Sequence, residues 1–326
     1  MRSSLPERID SQHHILTRRY AVWTPPMDEM IGKIGDWIDM RIPGGYIFGP
    51  SRFGKTRCVR RYLYNVLTER FRRDMPLIIW NHRPVSAAGE ADFWHKILIA
   101  SKYDLIEPEK PPKKSAGFAL CKNRFETLAE SADNNFVVLL IDEAQYMSFQ
   151  EWKWLSGLQN DLDYDGYVLS VFSVGSHQLN YQPQYMSVTG NVHLAARFMV
   201  KHAKFRGIGS PDELAYVLNG YDEDSEWPEG SGVSYLKYFS PVDFLAGRRL
   251  RDIATIFWHA LNDLSPNKSN MATGFPMQHI ANTIEEVLCQ LAIEEDWKKV
   301  TKYENLLLII GATGFSDHMR LISGKA

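Results

Sequence analysis

The sequence contains few cysteines and no long apolar segment. Cys58, Cys121 and Cys289 are far apart in the chain and form neither a metal-ligand pair nor an even disulfide set. We therefore expect reduced thiols in a cytosolic protein. No apolar run approaches the roughly 18 residues that a membrane-spanning helix needs. The first residues also lack the apolar centre of a secretory signal. These absences favour a cytoplasmic protein with no membrane partner.

The chain also lacks a large excess of either charge. Its formal net charge is -2 over 326 residues, so any contact with nucleic acid has to come from a local basic patch. Hydrophobic residues make up 44% of the sequence and charged residues 23%, which is typical of a globular protein. The length allows two domains, or one domain with a substantial appendage.

What the sequence does contain is a P-loop. Residues 49–56 match G-x-x-x-x-G-K-[ST], after a short apolar run and before apolar residues at helical spacing. Backbone amides of such a loop bind phosphates; Lys55 would contact the β- and γ-phosphates of ATP, and the Thr56 hydroxyl would bind Mg²⁺. A plain glycine-rich turn would leave the Lys-Thr pair unexplained. The predicted nucleotide-binding residues of the loop are Gly49, Pro50, Ser51, Arg52, Phe53, Gly54, Lys55 and Thr56.

A Walker B pattern follows later in the chain. Residues 136–141 are continuously apolar and are followed by Asp142 and Glu143. A strand that is apolar on both faces is typical of the middle of a parallel sheet, and such sheets bind ligands at the carboxyl ends of their strands. We predict that Asp142 binds the nucleotide through Mg²⁺ and that Glu143 activates the attacking water. The alternative is an ordinary solvated strand end.

A polar residue ends a further predicted strand. Residues 167–175 form an apolar, β-prone run, and Ser176 follows it. We predict that Ser176 contacts the γ-phosphate or orients the water. His177 and Gln178 are neighbours that could share this role, and a surface or capping histidine is the simpler interpretation of His177.

The predicted fold is α/β, with a parallel five-stranded sheet flanked by helices and a C-terminal helical lid. Short β-prone runs predict strands near residues 46–48, 76–80, 136–141, 167–175 and 204–208. The predicted domains are an N-terminal arm at 1–22, a nucleotide-binding core at 23–209, and a helical lid and C-terminal region at 210–326. Residues 219–234 are rich in Gly, Asp, Glu and Ser and predict an exposed loop.

The order of these motifs resembles the AAA+ ATPases of the initiator-like branch. Residues 20–26, the Asp142–Gln145 box and residues 196–198 resemble the transposition regulators TnsC and TniB, relatives of MuB from Tn-seven-like elements. The resemblance covers roughly residues 20–260 and is weak in the C-terminal quarter. It implies ATP and Mg²⁺ as cofactors and a homo-oligomer, either a ring or a helical filament, on duplex DNA in the bacterial cytoplasm. The implied protein partners are a TniQ/TnsD-type target selector and a TnsA/TnsB-type transposase.

The resemblance also implies roles for particular residues. Arg197 matches the arginine that a neighbouring subunit contributes to the catalytic site, although a surface salt bridge is an equal alternative. DNA-backbone contacts are expected from lysines between the two Walker motifs, namely Lys102, Lys113 and Lys114, with Lys110 and Lys122 in the same interval. Two other functions remain open at this point: a helicase loader or replication initiator, and a signalling-type nucleotide switch that binds no DNA.

Overall fold

The computed structural model describes residues 5–83, 89–107, 109–266, 273–294 and 296–323. The chain divides into two compact units. The sheet unit comprises Glu29–Ser51 and Lys55–Phe205, and the helical unit comprises Met1–Asp28, Arg52–Gly54 and Arg206–Ala326. Among the described residues, no helix combines the length and the apolar composition that a membrane span requires.

The sheet unit contains a five-stranded parallel sheet, as the sequence predicts. In chain order the strands are β1 (Gly44–Phe48), β2 (Leu77–Asn81), β3 (Phe136–Asp142), β4 (Val168–Gly175) and β5 (Lys201–Lys204). They lie in the sheet in the order β2-β3-β4-β1-β5. Every residue of β3, an interior strand between β2 and β4, is buried, which explains its unbroken apolar run.

The position predicted for the last strand was wrong by three residues at its start and by four at its end. The prediction placed it at 204–208, whereas β5 is Lys201–Lys204. This strand lies at the edge of the sheet, and three of its four residues are exposed, two of them lysines. An edge strand of this kind has no apolar run to mark it.

Helices account for most of the remaining described chain. In chain order they are α1 (His14–Thr17), α2 (Pro25–Asp39), α3 (Lys55–Arg61), α4 (Leu63–Phe71), α5 (Glu90–Ala100), α6 (Lys114–Ser131), α7 (Phe149–Tyr164), α8 (Gln182–Val188), α9 (Val192–Phe198), α10 (Pro211–Asn219), α11 (Tyr235–Phe239), α12 (Pro241–Leu245), α13 (Ala254–Leu264), α14 (Met277–Glu294), α15 (Trp297–Val300), α16 (Tyr303–Ala312) and α17 (Phe315–Ile322).

The core of the sheet unit is built from aromatic and branched side chains. Phe93 and Trp94 of α5 are fully buried, in edge-to-face contact with ring centroids 4.7 Å apart, and Trp152 of α7 is also fully buried. Such aromatic side chains bury large apolar areas. This core holds the carboxyl ends of β3 and β4, where the motif residues lie.

The helical unit has its own core, and the described residues of the predicted N-terminal arm belong to it. Ile15, Tyr20 and Val22 are buried together with residues of α10, α11, α13 and α14. The Tyr20 hydroxyl donates to Glu285 Oε1 at 3.0 Å. A Cβ on Gly220 would lie 2.3 Å from Val22 Cγ1, so this close approach requires glycine.

Residues 219–234 are predicted to form an exposed loop, but this prediction is wrong for the first part of the segment. Gly220–Asp224 form one turn of π-helix in which Tyr221 and Asp222 are fully buried. The Asp222 carboxylate accepts the backbone N–H groups of Leu250 and Arg251 at 2.8 and 3.0 Å. The buried acid therefore serves as a cap for a distant helical turn, a role that local composition does not reveal.

Candidate nucleotide-binding site

The P-loop connects β1 to α3, and its two glycines are sterically required. A Cβ on Gly49 would lie 2.3 Å from the Phe205 carbonyl oxygen, and Gly54 has a φ of 115°. The Gly49 N–H donates to the Gly175 carbonyl at 3.2 Å, which ties the loop to the end of β4. Of the remaining loop residues, Ser51 and Arg52 are exposed, whereas Pro50 and Phe53 are buried.

Lys55 is the first residue of α3 and is nearly enclosed. Its ammonium group donates to the carbonyl oxygens of Gly49 and Pro50 at 2.9 and 2.7 Å. Burial lowers the pKa of Lys55 to about 8, and the nearby carboxylates of Glu143 and Asp142 partly oppose this change. A buried cation held against its own loop is thus placed to bind phosphate oxygens.

Asp142 and Thr56 form an oxygen-rich pair beside Lys55. Asp142 is the last residue of β3 and is 2% exposed. Burial raises the pKa of its carboxyl group, while hydrogen bonds from the Thr56 side chain and from the Glu143 N–H favour the ionised form. A hydroxyl and a carboxylate in contact fit Mg²⁺, which binds one or two protein oxygens together with phosphates and water.

Glu143 follows directly and is half-buried. Its backbone adopts the left-handed conformation, with a φ of 60°, before a short 3₁₀ turn at Ala144–Tyr146. Gln145 Nε2 donates to Glu143 Oε2 at 2.7 Å. The carboxylate is therefore held beside Asp142 by a side-chain contact within the same turn.

Ser176 lies at the end of the neighbouring strand, as predicted, but its hydroxyl has a local role. The Ser176 hydroxyl accepts the Gln178 N–H at 3.3 Å and caps the 3₁₀ helix His177–Tyr181. The His177 side chain is exposed at the start of this 3₁₀ helix. Burial lowers the pKa of His177, and the positive charges of Lys204 and Lys55 lower it further.

Arg197 is not brought into the site of its own chain. A Cβ on Gly44 would lie 2.8 Å from the Arg197 carbonyl oxygen, so Arg197 lies beside the first residue of β1. The P-loop follows the last residue of β1, roughly 13 Å away along the strand. The Arg197 guanidinium donates to the Ser156 carbonyl at 3.1 Å.

The lysines predicted to contact DNA differ in their surroundings. Lys102, Lys110, Lys113 and Lys114 are exposed. Lys114 Nζ lies 2.7 Å from Glu90 Oε2, and Lys122 forms ion pairs with Glu126 and Asp165. Lys114 and Lys122 thus share their charge with carboxylates of the same chain.

Two residues of the site were missed by the sequence reasoning. Gln145 contacts both Glu143 and Ser176, and Gly175 leaves the space that Gln145 occupies. The signal for Gln145 was its place in the Asp142–Gln145 box. For Gly175 the signal was a glycine ending an otherwise apolar strand.

A protein-family model and several solved structures are similar to the chain in its sequence or its fold. A family model for the AAA domain matches residues 43–182, a range that includes both Walker motifs. The structure of the Aeropyrum pernix ORC2 protein in ADPNP-ADP complexes superposes with a TM-score of 0.57 at 10% identity, covering 92% of this chain and 71% of that chain. The ADP form of the same protein gives a TM-score of 0.53 at 9% identity, covering 94% and 70%.

The chain has the fold of AAA+ ATPases. The predicted AAA+ fold is confirmed, and the AAA domain supports nucleotide binding and ATPase activity. No curated protein sequence matches the chain.

Nucleotide affinity is expected to fall as the pH rises above about 8, where ligand-free Lys55 loses its proton. Bound phosphates raise the pKa of Lys55, so the complex holds more protons than the free protein, and affinity falls by up to about tenfold per pH unit. Below about pH 8, Lys55 is protonated in both the free and the nucleotide-bound protein, so it does not make the affinity depend on pH. Calorimetric titration with a non-hydrolysable ATP analogue between about pH 7 and pH 9 measures this pH dependence of the affinity.

The Lys55→Arg variant is the control for this prediction. Because its guanidinium stays charged over this range, its nucleotide affinity should not fall as the pH rises. An equal fall in affinity with pH in the wild-type protein and in Lys55→Arg would contradict the prediction.

Proposed function

We propose that this protein is an ATP-dependent AAA+ regulator of DNA transposition. It oligomerises on duplex DNA and links a TniQ/TnsD-type target selector to a TnsA/TnsB-type transposase. One observation carries the proposal: Glu143 lies beside the Thr56–Asp142 pair, inside a box that resembles that of TnsC and TniB. An acid next to a metal-binding carboxylate suits hydrolysis of the nucleotide.

We assign a step of the reaction to each residue of the site. Lys55 exchanges its carbonyl partners for the β- and γ-phosphates, and Thr56 and Asp142 provide oxygen ligands for Mg²⁺. When bound, Mg²⁺ neutralises charge on those phosphates. Glu143 accepts a proton from the attacking water, and Ser176, at the end of β4, orients the water or the γ-phosphate.

The catalytic site is completed between subunits. Because Arg197 lies at the opposite end of β1 from the P-loop of its own chain, it acts on the nucleotide of a neighbouring copy. A guanidinium there stabilises the charge that develops during phosphoryl transfer. Hydrolysis then requires assembly, and loss of the γ-phosphate favours disassembly.

DNA is contacted through its backbone. Lys102 and Lys113 are exposed on the sheet unit, and Lys114 shares its charge with Glu90. Lysines bind phosphates without reading sequence, and their contacts weaken as salt concentration rises.

A binding assay with duplex DNA tests this function. We expect two unrelated duplexes to bind with similar affinity in the presence of a non-hydrolysable ATP analogue, and far more weakly without it. Each of Lys102→Glu and Lys113→Glu should reduce the slope of log affinity against log salt by about one. Lys298→Glu makes the same charge change at an exposed position of the helical unit and is the matched control. Absence of ATP-dependent binding at low salt would contradict DNA binding and leave a signalling-type switch.

A replication initiator or helicase loader is the second candidate. The similarity of the fold to the Aeropyrum pernix ORC2 protein favours it. Strand-transfer assays that contain a transposase and a target selector separate the two candidates. Stimulation of strand transfer by this protein supports the transposition function, whereas helicase loading without stimulation supports the initiator function. A transposase gene next to the gene for this protein would also favour the first.

A further inference from the structure

We propose that Gln145 is the positioning residue of the catalytic base, because it holds the Glu143 carboxylate against the carboxyl end of β4. The proposal rests on the ATPase function proposed above and gives a role to a residue that the mechanism does not otherwise use. It concerns the sheet unit alone.

The Gln145 side chain has a partner for each end of its amide group. Its Nε2 donates to Glu143 Oε2 at 2.7 Å, and its Oε1 accepts the Ser176 N–H at 3.0 Å. A carboxylate can only accept and a backbone N–H can only donate, so the two contacts together determine which way the amide is oriented. The bond to Glu143 is charge-assisted and therefore stronger than a neutral hydrogen bond.

The backbone of Gln145 is held as well. Gln182 Nε2 donates to the Gln145 carbonyl oxygen at 3.2 Å, and the Tyr146 N–H donates to the Glu143 carbonyl at 3.2 Å. The turn that carries Glu143 and Gln145 is thus fixed by contacts within the protein. Such preorganisation is what a catalytic base needs to meet its water in a reactive geometry.

Gly175 provides the space for the Gln145 side chain, which forms a bridge between Glu143 and Ser176. A Cβ at Gly175 would lie 2.5 Å from Gln145 Oε1, closer than side-chain atoms approach one another. The φ of Gly175 is not in the left-handed region, so an alanine would fit the backbone and would displace only the neighbouring side chains. The glycine is therefore required by Gln145 rather than by the conformation of the strand.

The same glycine connects the bridge to the P-loop. The Gly49 N–H donates to the Gly175 carbonyl at 3.2 Å, and the next N–H, that of Ser176, donates to Gln145. A continuous chain of hydrogen bonds therefore leads from the first P-loop glycine through the end of β4 and Gln145 to the Glu143 carboxylate. Gln145 fixes the base relative to the loop that binds the phosphates, without contacting the phosphates itself.

The first test compares kinetics with binding. Gln145→Ala is expected to lower kcat for ATP hydrolysis by about 10- to 100-fold, because the base loses its fixed orientation. The Kd for a non-hydrolysable ATP analogue should stay within about twofold, since no phosphate contact is removed. Gln184→Ala, at an exposed glutamine of α8, is the matched control and should keep wild-type kcat. A wild-type kcat in Gln145→Ala overturns the proposal, and so does an equal loss of kcat and affinity.

A double-mutant cycle tests whether Gly175 acts through Gln145. Gly175→Ala alone should reproduce the kcat defect, because the new Cβ displaces the Gln145 amide. In Gln145→Ala that clash no longer exists, so the double variant should have the kcat of Gln145→Ala alone. If the kcat losses of the two single variants multiply in the double variant, Gly175 does not act through Gln145, and this result would contradict the proposal. If Gly175→Ala fails to bind the analogue, the kcat of Gln145→Ala alone tests the positioning role of Gln145.

Glu143→Gln separates failure of this inference from failure of the proposed function. If Glu143→Gln is inactive while Gln145→Ala hydrolyses ATP at the wild-type rate, only the positioning role is wrong. If wild-type protein hydrolyses no ATP with DNA present, both proposals are wrong.

Discussion

Replacing Glu143 with glutamine is expected to lower the rate of ATP hydrolysis by about 10²- to 10⁴-fold, the usual contribution of a general base. The amide is nearly isosteric with the carboxylate but cannot accept the proton of the attacking water. Affinity for ATP should be unchanged, because Lys55, Thr56 and Asp142 remain. Phosphate release under single-turnover conditions and analogue binding by calorimetry measure the two quantities separately.

The same variant should remain assembled on DNA in the presence of ATP itself. Wild-type complexes are expected to dissociate as ATP is consumed, whereas complexes of Glu143→Gln should persist. Glu69→Gln, at an exposed acid of α4, removes the same charge outside the site and serves as the control. Hydrolysis at the wild-type rate by Glu143→Gln would show that the base lies elsewhere.

Arg197→Ala is expected to lower hydrolysis in the assembled protein by about 10³-fold or more, the effect typical of an arginine supplied by a neighbouring molecule. ATP binding should persist, because Arg197 lies at the far end of β1 from the P-loop. Lys55→Ala should instead abolish nucleotide binding, since it removes the buried cation of the loop.

Mixing two inactive variants tests whether Arg197 acts between subunits. Arg197→Ala supplies an intact catalytic base, and Glu143→Gln, which is expected to bind ATP and assemble, supplies an intact arginine. A ring or filament formed from equal amounts should contain complete sites at about a quarter of its interfaces, and hydrolysis should return. A mixture that stays inactive although it assembles would contradict action between subunits. An unchanged rate in Arg197→Ala alone would show that its bond to Ser156 is its main role.

The sequence predicts those parts of the fold that local patterns determine. The run at residues 136–141 predicts β3 because a strand buried on both faces needs apolar residues throughout. The P-loop glycines are predicted because only glycine fits so close to another backbone, or adopts a φ of 115°. These constraints act within a few residues, so they leave a clear pattern.

Features that depend on distant partners leave no such pattern. The strand β5 pairs with β1 through its backbone, and its exposed lysines give no apolar signal. The burial of Asp222 results from backbone groups 28 and 29 residues further along the chain. The bridge made by Gln145 requires that the ends of β3 and β4 lie side by side, a fact of sheet order rather than of spacing.

The contacts of Lys55 have a consequence for nucleotide exchange. Its ammonium group has two carbonyl partners within the loop itself, those of Gly49 and Pro50. Arrival of ATP therefore replaces neutral oxygens by anionic ones, and the affinity gained from Lys55 is the difference between the two sets of bonds. The two carbonyl groups compensate the buried charge of Lys55 from within the loop.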